Sequence, residues 1–273
     1  MSQELTIEAG HAERQYWKDL WRYRELFLIL TWRDVAVQYK QTVVGILWAV
    51  LRPLLTMAAF TIVFSKIAKL PAEGEAPYAL MVFAAMLPWQ LFATSLAATA
   101  NSLVANSNLV SKVYFPRVIV PTATLGVAIV DFAISFVLLC GMMCWYQYLP
   151  PIQVLMALPL TLLAGLVALG PGLILCALNV IYRDFRIIVP FITQFGLYIS
   201  PVGFSSSIVP EKWRLLYECN PMVGVIDGFR WAILGTTDFP GRALLISSVC
   251  AIIFLLLGIK TFRRTERTFA DVI

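Results

Sequence analysis

Charge is what this chain has least of. Asp, Glu, Lys and Arg together make up 14% of the residues, against roughly a quarter in an ordinary soluble domain. Histidine is nearly missing too: the single one, His11, lies in a polar N-terminal stretch. That excludes a histidine-based acid–base pair or metal cluster inside the apolar body. No glycine-rich turn precedes Gly258-Ile-Lys260-Thr261, so no phosphate-binding loop is expected. Closely spaced acidic pairs of the kind that hold a metal-bound sugar nucleotide are lacking as well. Of five cysteines, Cys140, Cys144, Cys176 and Cys250 fall in apolar stretches and Cys219 alone in a loop. No spacing suits zinc, redox chemistry or a disulfide framework, and they read as small apolar side chains. Basic blocks interleaved with aromatics are absent, which excludes a nucleic-acid partner. Residues Met1 to Arg14 carry no apolar run; no cleaved leader is expected, and the first span drives insertion with the N-terminus inside.

Apolar surface dominates what is there. Of 273 residues, 60% are hydrophobic, with a mean hydropathy of +0.79. One globular core cannot hide that much, so lipid must cover it. The expected fold class is all-α: an integral membrane protein with six transmembrane helices. Each needs roughly 20 mostly apolar residues to cross a ~30 Å hydrocarbon layer. The qualifying stretches are Val43–Phe64, Tyr78–Leu103, Val118–Trp145, Val154–Ile181, Ile187–Phe204 and Ala243–Phe262. The fifth, with Pro190, Gly196 and Pro201, is expected to bend or turn back. The chain then divides into a cytoplasmic tail and interface helix (1–42), a transmembrane domain (43–262) and a cytoplasmic tail (263–273).

Loop charge sets the expected orientation. Of 21 Lys and Arg, 14 fall in the terminal segments and the second and fourth connections, among them Arg33, Lys40, Lys112, Arg117, Arg183 and Arg267. Six lie on the other side (Lys66, Lys69, Lys212, Arg214, Arg230, Arg242), offset by Glu73, Glu75, Glu211, Glu218, Asp227 and Asp238; Arg52 lies within a span. The bias places both termini in the cytoplasm.

Two further segments are predicted to be ordered. Tyr16, Leu20, Tyr23 and Phe27 share a helical face, with Trp17, Trp21 and Leu28 beside it and Arg14, Lys18, Arg22 and Glu25 largely elsewhere. That describes an amphipathic helix in the headgroup layer, or a helix docked on another chain. The external loop from Ser205 to Arg242 predicts two short helices. The first opens at Pro210 and carries Trp213 and Tyr217; Asn220-Pro221 breaks it; the second runs from about Met222 to Gly235. Both are expected to dip back into the outer leaflet as re-entrant gate helices.

Polar groups inside spans point to function. Arg52 lies about nine residues, or ~13 Å, into the first span. It either snorkels to the inner headgroups or clamps the phosphate of a lipid, with Arg33 and Lys40 extending the patch. Asp131 is either an interhelical tie or part of an ion path. Aromatics form 13% of the chain; a minority lining a passage would offer stacking surfaces to sugar rings.

Four stretches resemble the membrane subunits of polysaccharide-exporting ABC transporters. They are Arg33-Asp34-Val-Ala-Val-Gln-Tyr39-Lys40-Gln-Thr-Val-Val-Gly45-Ile-Leu-Trp48, Leu87-Pro88-Trp89, Asn106-Ser-Asn108-Leu109-Val-Ser-Lys112-Val-Tyr-Phe115-Pro116-Arg117, and Asn220-Pro221 with Gly228-Phe229-Arg230. The chain is thus similar to type 2 ABC-exporter permeases of the O-antigen, teichoic-acid and capsule group. The resemblance implies a homodimer paired with two separate ATPase subunits, which bind the ATP and Mg; this chain would hold no cofactor. Its cargo would be a polyprenyl-diphosphate-linked glycan, exported across the bacterial cytoplasmic membrane. By the same resemblance Asn106, Asn108, Leu109, Lys112, Phe115, Pro116 and Arg117 couple to the ATPase. Arg33, Lys40 and Arg52 are candidates for lipid-diphosphate binding. Trp213, Tyr217, Asn220, Pro221, Phe229, Arg230 and Trp231 would build the external gate. Gln38 departs from the basic residue common in relatives. A membrane enzyme acting on lipid-linked sugars and a small-molecule exporter of the same fold remain the alternative readings.

Overall fold

A computed structural model describes residues 12–40, 43–71, 74, 76–182, 184–235, 238–266 and 269. His11, Glu73, Glu75, Arg183 and Arg267, and most of both terminal tails, lie outside them. Every regular element among the described residues is helical.

In chain order the helices are α1 (Ala12–Arg22), α2 (Arg24–Lys40), α3 (Val43–Phe60), α4 (Tyr78–Ala105), α5 (Ser107–Lys112), α6 (Ile119–Ala123), α7 (Leu125–Trp145), α8 (Ala157–Ile181), α9 (Phe185–Ile199), α10 (Glu211–Glu218), α11 (Pro221–Leu234) and α12 (Gly241–Thr265). A wider helical turn, Thr61–Ile67, prolongs α3, and a tighter one, Ile152–Met156, leads into α8. Five stretches have the length and composition to cross a bilayer: Leu47–Ile67, Tyr78–Ala105, Ile119–Trp145, Ile152–Ile181 and Gly241–Thr265.

The expected fifth span is the exception. α9 has 15 residues, about 22 Å at ~1.5 Å per residue, short of the bilayer core. Beyond Ile199 the chain leaves helical geometry through Ser200, Pro201 and Gly203, all buried. The five long helices therefore hold without a sixth of equal length. The N-terminal segment also differs from expectation, forming two helices that meet at Tyr23.

α4 is the hub. In its spanning window 78% of residues are buried, against 11% for the α3 stretch. It packs on α3, α7, α8, α9 and α11. Alanine, serine and threonine let neighbours come close, and polar groups are met across helices rather than by water. Asn179 of α8 donates to the Ala100 carbonyl at 3.1 Å and to Asn101 Oδ1 at 3.0 Å. α8 and α12 approach backbone to backbone at Gly170 and Gly258. A second apolar cluster, around Leu30, Leu103, Val110, Phe115, Cys176, Phe262 and Phe269, closes the end that carries α1 and the C-terminal segment. That end is called proximal below, and the α10 end distal.

Candidate functional site

Polar side chains gather at three places. The first is a cavity of about 200 Å³ between α2, α3, α4 and α7, lined by Gln38, Arg52, Gln90, Thr94, Asp131 and Ser135 among others. Pro53 follows Arg52 within α3. Asp131 accepts from the Tyr39 hydroxyl at Oδ1 and from Gln38 Nε2 at 3.2 and 3.3 Å. It ties α2 to α7, the first of its two sequence readings, and it does so inside the cavity that Arg52 shares. At about 30 Å³ per water the space takes six or seven waters. That suits a small charged headgroup and is too little for an oligosaccharide. Gln38, the departure from the family pattern, directs its amide at this carboxylate. Arg33 and Lys40 do not line the cavity. Arg33 instead forks onto Asp34 at 2.9 and 2.7 Å and donates to Asn106 Oδ1 at 2.7 Å, while Lys40 is exposed. The three cations grouped in the sequence thus separate into a cavity residue, a loop anchor and a surface lysine.

The second place is the proximal loop. Asn106 closes α4, its Nδ2 donating to the Ser102 carbonyl at 2.9 Å. α5 then presents Asn108 and Lys112 outward, with Leu109 half-buried. Tyr114 is 71% exposed, whereas Phe115 is 4% exposed and Pro116 is buried. Arg117 turns inward, its backbone N–H on Glu266 Oε1 at 2.8 Å and its Nη1 on the Glu266 carbonyl at 2.6 Å. The Arg263 guanidinium lies 4.8 Å from the Tyr16 ring centre, and the Tyr16 hydroxyl is close enough to the Glu266 carboxyl to feel its charge. Of the coupling residues read from the sequence, Asn108, Leu109 and Lys112 offer surface. Asn106, Phe115, Pro116 and Arg117 make their contacts within this chain. Tyr114 and Glu266, which stand beside them, had no place among the sequence candidates, and Tyr16 had one only on the amphipathic face. Tyr114 carried a signal, an aromatic in a polar loop, but Glu266 is legible only through folding.

Burial raises the Glu266 carboxyl above its ordinary value, against the hydrogen bond from the Arg117 backbone and the nearby Arg117 and Arg263 cations. The folded chain then keeps a proton that the unfolded chain has lost, so stability falls as pH rises through that window. In Glu266→Gln this slope is expected to flatten. The check is the apparent Tm of the detergent-solubilised chain between about pH 4 and pH 7.

The third place is the distal end. Trp213 on α10 is 54% exposed, and Tyr217 packs its ring 6.4 Å from Phe204. Glu218 holds Arg242 through two 2.7 Å bonds. Asn220 caps α11 by accepting from Met222 N at 3.1 Å, donates to Ser200 Oγ at 3.0 Å, and hands over to Pro221 at the first helical position. α11 itself is core. Phe229 and Arg230 are fully buried, with Phe229 edge-on to Phe132 at 6.0 Å. Arg230 donates to the Phe204 and Val202 carbonyls at 2.9 and 3.1 Å, and the Tyr78 hydroxyl donates to the Gly203 carbonyl. Trp231 meets Phe239 at 4.9 Å. Irregular backbone within a membrane protein persists only where protein or water satisfies it; Arg230 and Tyr78 do that for residues 202–204. Among the gate candidates, Trp213 and Tyr217 sit on the exposed helix, while Phe229 and Arg230 hold the helix beneath.

Residues 25–234 match the family described as ABC-2 type transporter. An O-antigen export system permease protein RfbA of Klebsiella pneumoniae is 25% identical over 252 residues, covering 91% of this chain and 95% of that protein. A protein of the same name from Myxococcus xanthus is 27% identical over 266 residues, covering 94% and 98%. The inner membrane transport permease YadH of Escherichia coli K12 is 33% identical over 87 residues, or 32% of this chain and 34% of that one. A family match across the helices from α2 to α11, on a bundle with five membrane-crossing stretches, leaves one assignment: the chain belongs to the ABC-2 type transporter family of membrane proteins.

Proposed function

We propose that the chain is the membrane-spanning subunit of an ABC exporter that carries a polyprenyl-diphosphate-linked polysaccharide, of O-antigen type, outward across the bacterial inner membrane. The carrying observation is the alignment, over 91% and 94% of its length, with two permeases named for O-antigen export. In this reading two copies assemble with two soluble ATPase subunits, which supply ATP and Mg. Both termini face the cytoplasm, in keeping with the distribution of Lys and Arg among the loops.

The proximal loop receives the ATPase. Its exposed Asn108, Lys112 and Tyr114 make the contact, and its buried Phe115 and half-buried Arg117 pass displacement into α12 through Glu266. Arg52 meets the diphosphate, whose charge a guanidinium pairs with through two parallel bonds. Trp213 and Tyr217 on α10 form the outer gate, and the half-buried Asn220, Pro221 and Trp231 set its hinge.

The test is co-purification with the ATPase subunit. Lys112→Glu combined with Tyr114→Asp is expected to lower recovered ATPase at least tenfold while the permease stays monodisperse. Full assembly of that variant would remove the loop from the coupling role. Phe115→Asp, by contrast, buries a carboxylate without a partner and is expected to cost the fold itself. Arg52→Ala is expected to cut surface glycan severalfold with ATPase recovery unchanged; normal glycan display would return Arg52 to a headgroup-snorkelling role.

A further inference from the structure

A wide groove flanks the coupling loop and extends onto a face of α12 that has no part in these roles. It encloses about 770 Å³ at the proximal end, walled by α1, residues 113–117 and the last turns of α12. That volume falls within the range of small-molecule sites. Four cations face it, Arg117, Lys260, Arg263 and Arg264, against two carboxylates, Asp19 and Glu266. Glu266 is already engaged by Arg117, and Arg263 lies over the Tyr16 ring. The side chains of Lys260 and Arg264 are exposed and make no hydrogen bond or ion pair with the described residues.

Register on α12 decides what fits. Leu256, Lys260 and Arg264 stand four residues apart, so they form one stripe along the helix face. Leu256, 63% exposed, lies at the apolar end of that stripe beside exposed Leu257, and the cations follow within about 12 Å. An acyl chain against Leu256 would bring a phosphate to Lys260 and Arg264, with the exposed ring of Tyr114 at the rim. Basic recesses at the ends of transmembrane helices recognise anionic lipid headgroups in this way. A soluble protein could reach the two cations but not the leucine, which lies among the hydrocarbon-facing residues of the span.

We infer that this groove is a binding site for the phosphodiester headgroup of an anionic glycerophospholipid, held by Lys260 and Arg264 with one acyl chain along Leu256. The site is separate from the Arg52 cavity and does not depend on which cargo is exported. A bound lipid would bridge α1, the loop after α5 and α12, the three elements that wall the groove.

Native mass spectrometry of the full chain in detergent, with dioleoyl phosphatidylglycerol or dioleoyl phosphatidylcholine added, tests it. Phosphatidylglycerol adducts are expected at severalfold higher occupancy, unaffected by an equal concentration of inorganic phosphate. Lys260→Gln with Arg264→Gln is expected to bring them down to the phosphatidylcholine level. Equal retention of both lipids by the wild-type chain, or undiminished phosphatidylglycerol on the variant, would overturn the assignment. Displacement by phosphate would mark a free-anion site instead, and also overturn it. A second measurement needs no variant: phosphatidylglycerol bearing an acyl-chain diazirine is expected to label the α12 peptide around Leu256, in the chain alone and in its complex with the ATPase. Labelling confined to other helices, or abolished by the ATPase subunit, would assign the groove to a different occupant.

Discussion

Arg230→Ala is expected to remove most of the folded protein from the membrane fraction. The side chain is fully buried and supplies donors to the Val202 and Phe204 carbonyls. A buried carbonyl left without a donor costs about 1–3 kcal/mol, and two are released together. The cavity left by so large a side chain adds a comparable penalty, so the loss reaches about 4 kcal/mol or more. Arg230→Lys is expected to rescue little, because a single ammonium cannot span two carbonyls as the planar fork does. Arg230→Met separates volume from hydrogen bonding and should fall between alanine and the native residue. Fluorescence-detected size exclusion after a heating series measures all three. Wild-type survival of Arg230→Ala would mean that water, not this arginine, satisfies the 202–204 segment.

Gly258→Leu is expected to be as damaging, for a different reason. A Cβ on Gly258 would lie 2.4 Å from the Gly170 carbonyl oxygen, and one on Gly170 would lie 2.6 Å from the Phe254 carbonyl carbon. Both obstacles are backbone, so no rotamer change makes room and α8 must part from α12. Overpacking of this sort costs about 1–3 kcal/mol for small additions, and leucine adds more. Gly258→Ala should already lower the apparent Tm. Gly141 and Gly165 provide the control: a Cβ there meets nothing within 4 Å. Alanine at either is expected to be neutral or slightly stabilising, since glycine is the weaker helix former by about 1 kcal/mol. A uniform response at all three positions would refute the close-approach account.

These two positions mark where sequence reading stops. Arg230 read as an external gate residue on a helix expected to dip into the outer leaflet, and nothing in its neighbours announces that its own side chain is fully buried. The partners that bury it, carbonyls 26 and 28 residues away, are backbone groups every residue carries. Gly258 entered the sequence reading only as the start of Gly258-Ile-Lys260-Thr261, set aside as a phosphate-binding loop. Only the α8–α12 crossing singles it out.

The sequence did carry the class. Scarce charge and long apolar runs leave lipid as the only sufficient cover for the surface, and the long helix boundaries fall close to their expected places. The turn chemistry of Asn220-Pro221 and Gly235 bounded α11, whose left-handed cap at Gly235 has φ 62°. Asp131 was recognised as a group needing a partner, although not that Tyr39 and Gln38 would provide it.

Which helix lies at the centre was decided only by folding. α4 is the least hydropathic of the five long stretches and yet the most buried. In water hydrophobicity ranks burial, but a lipid tail is as apolar as a leucine, so in a bilayer that signal is lost. What draws α4 inward is close packing by its alanines and bonding at Thr99, Asn101 and Ser102 to α6 and α8, and both need neighbours at defined positions. The same holds for the polar cavity at Arg52 and the joint at Glu266. Each side chain declared its chemistry in one dimension, but its partner came from a distant part of the chain.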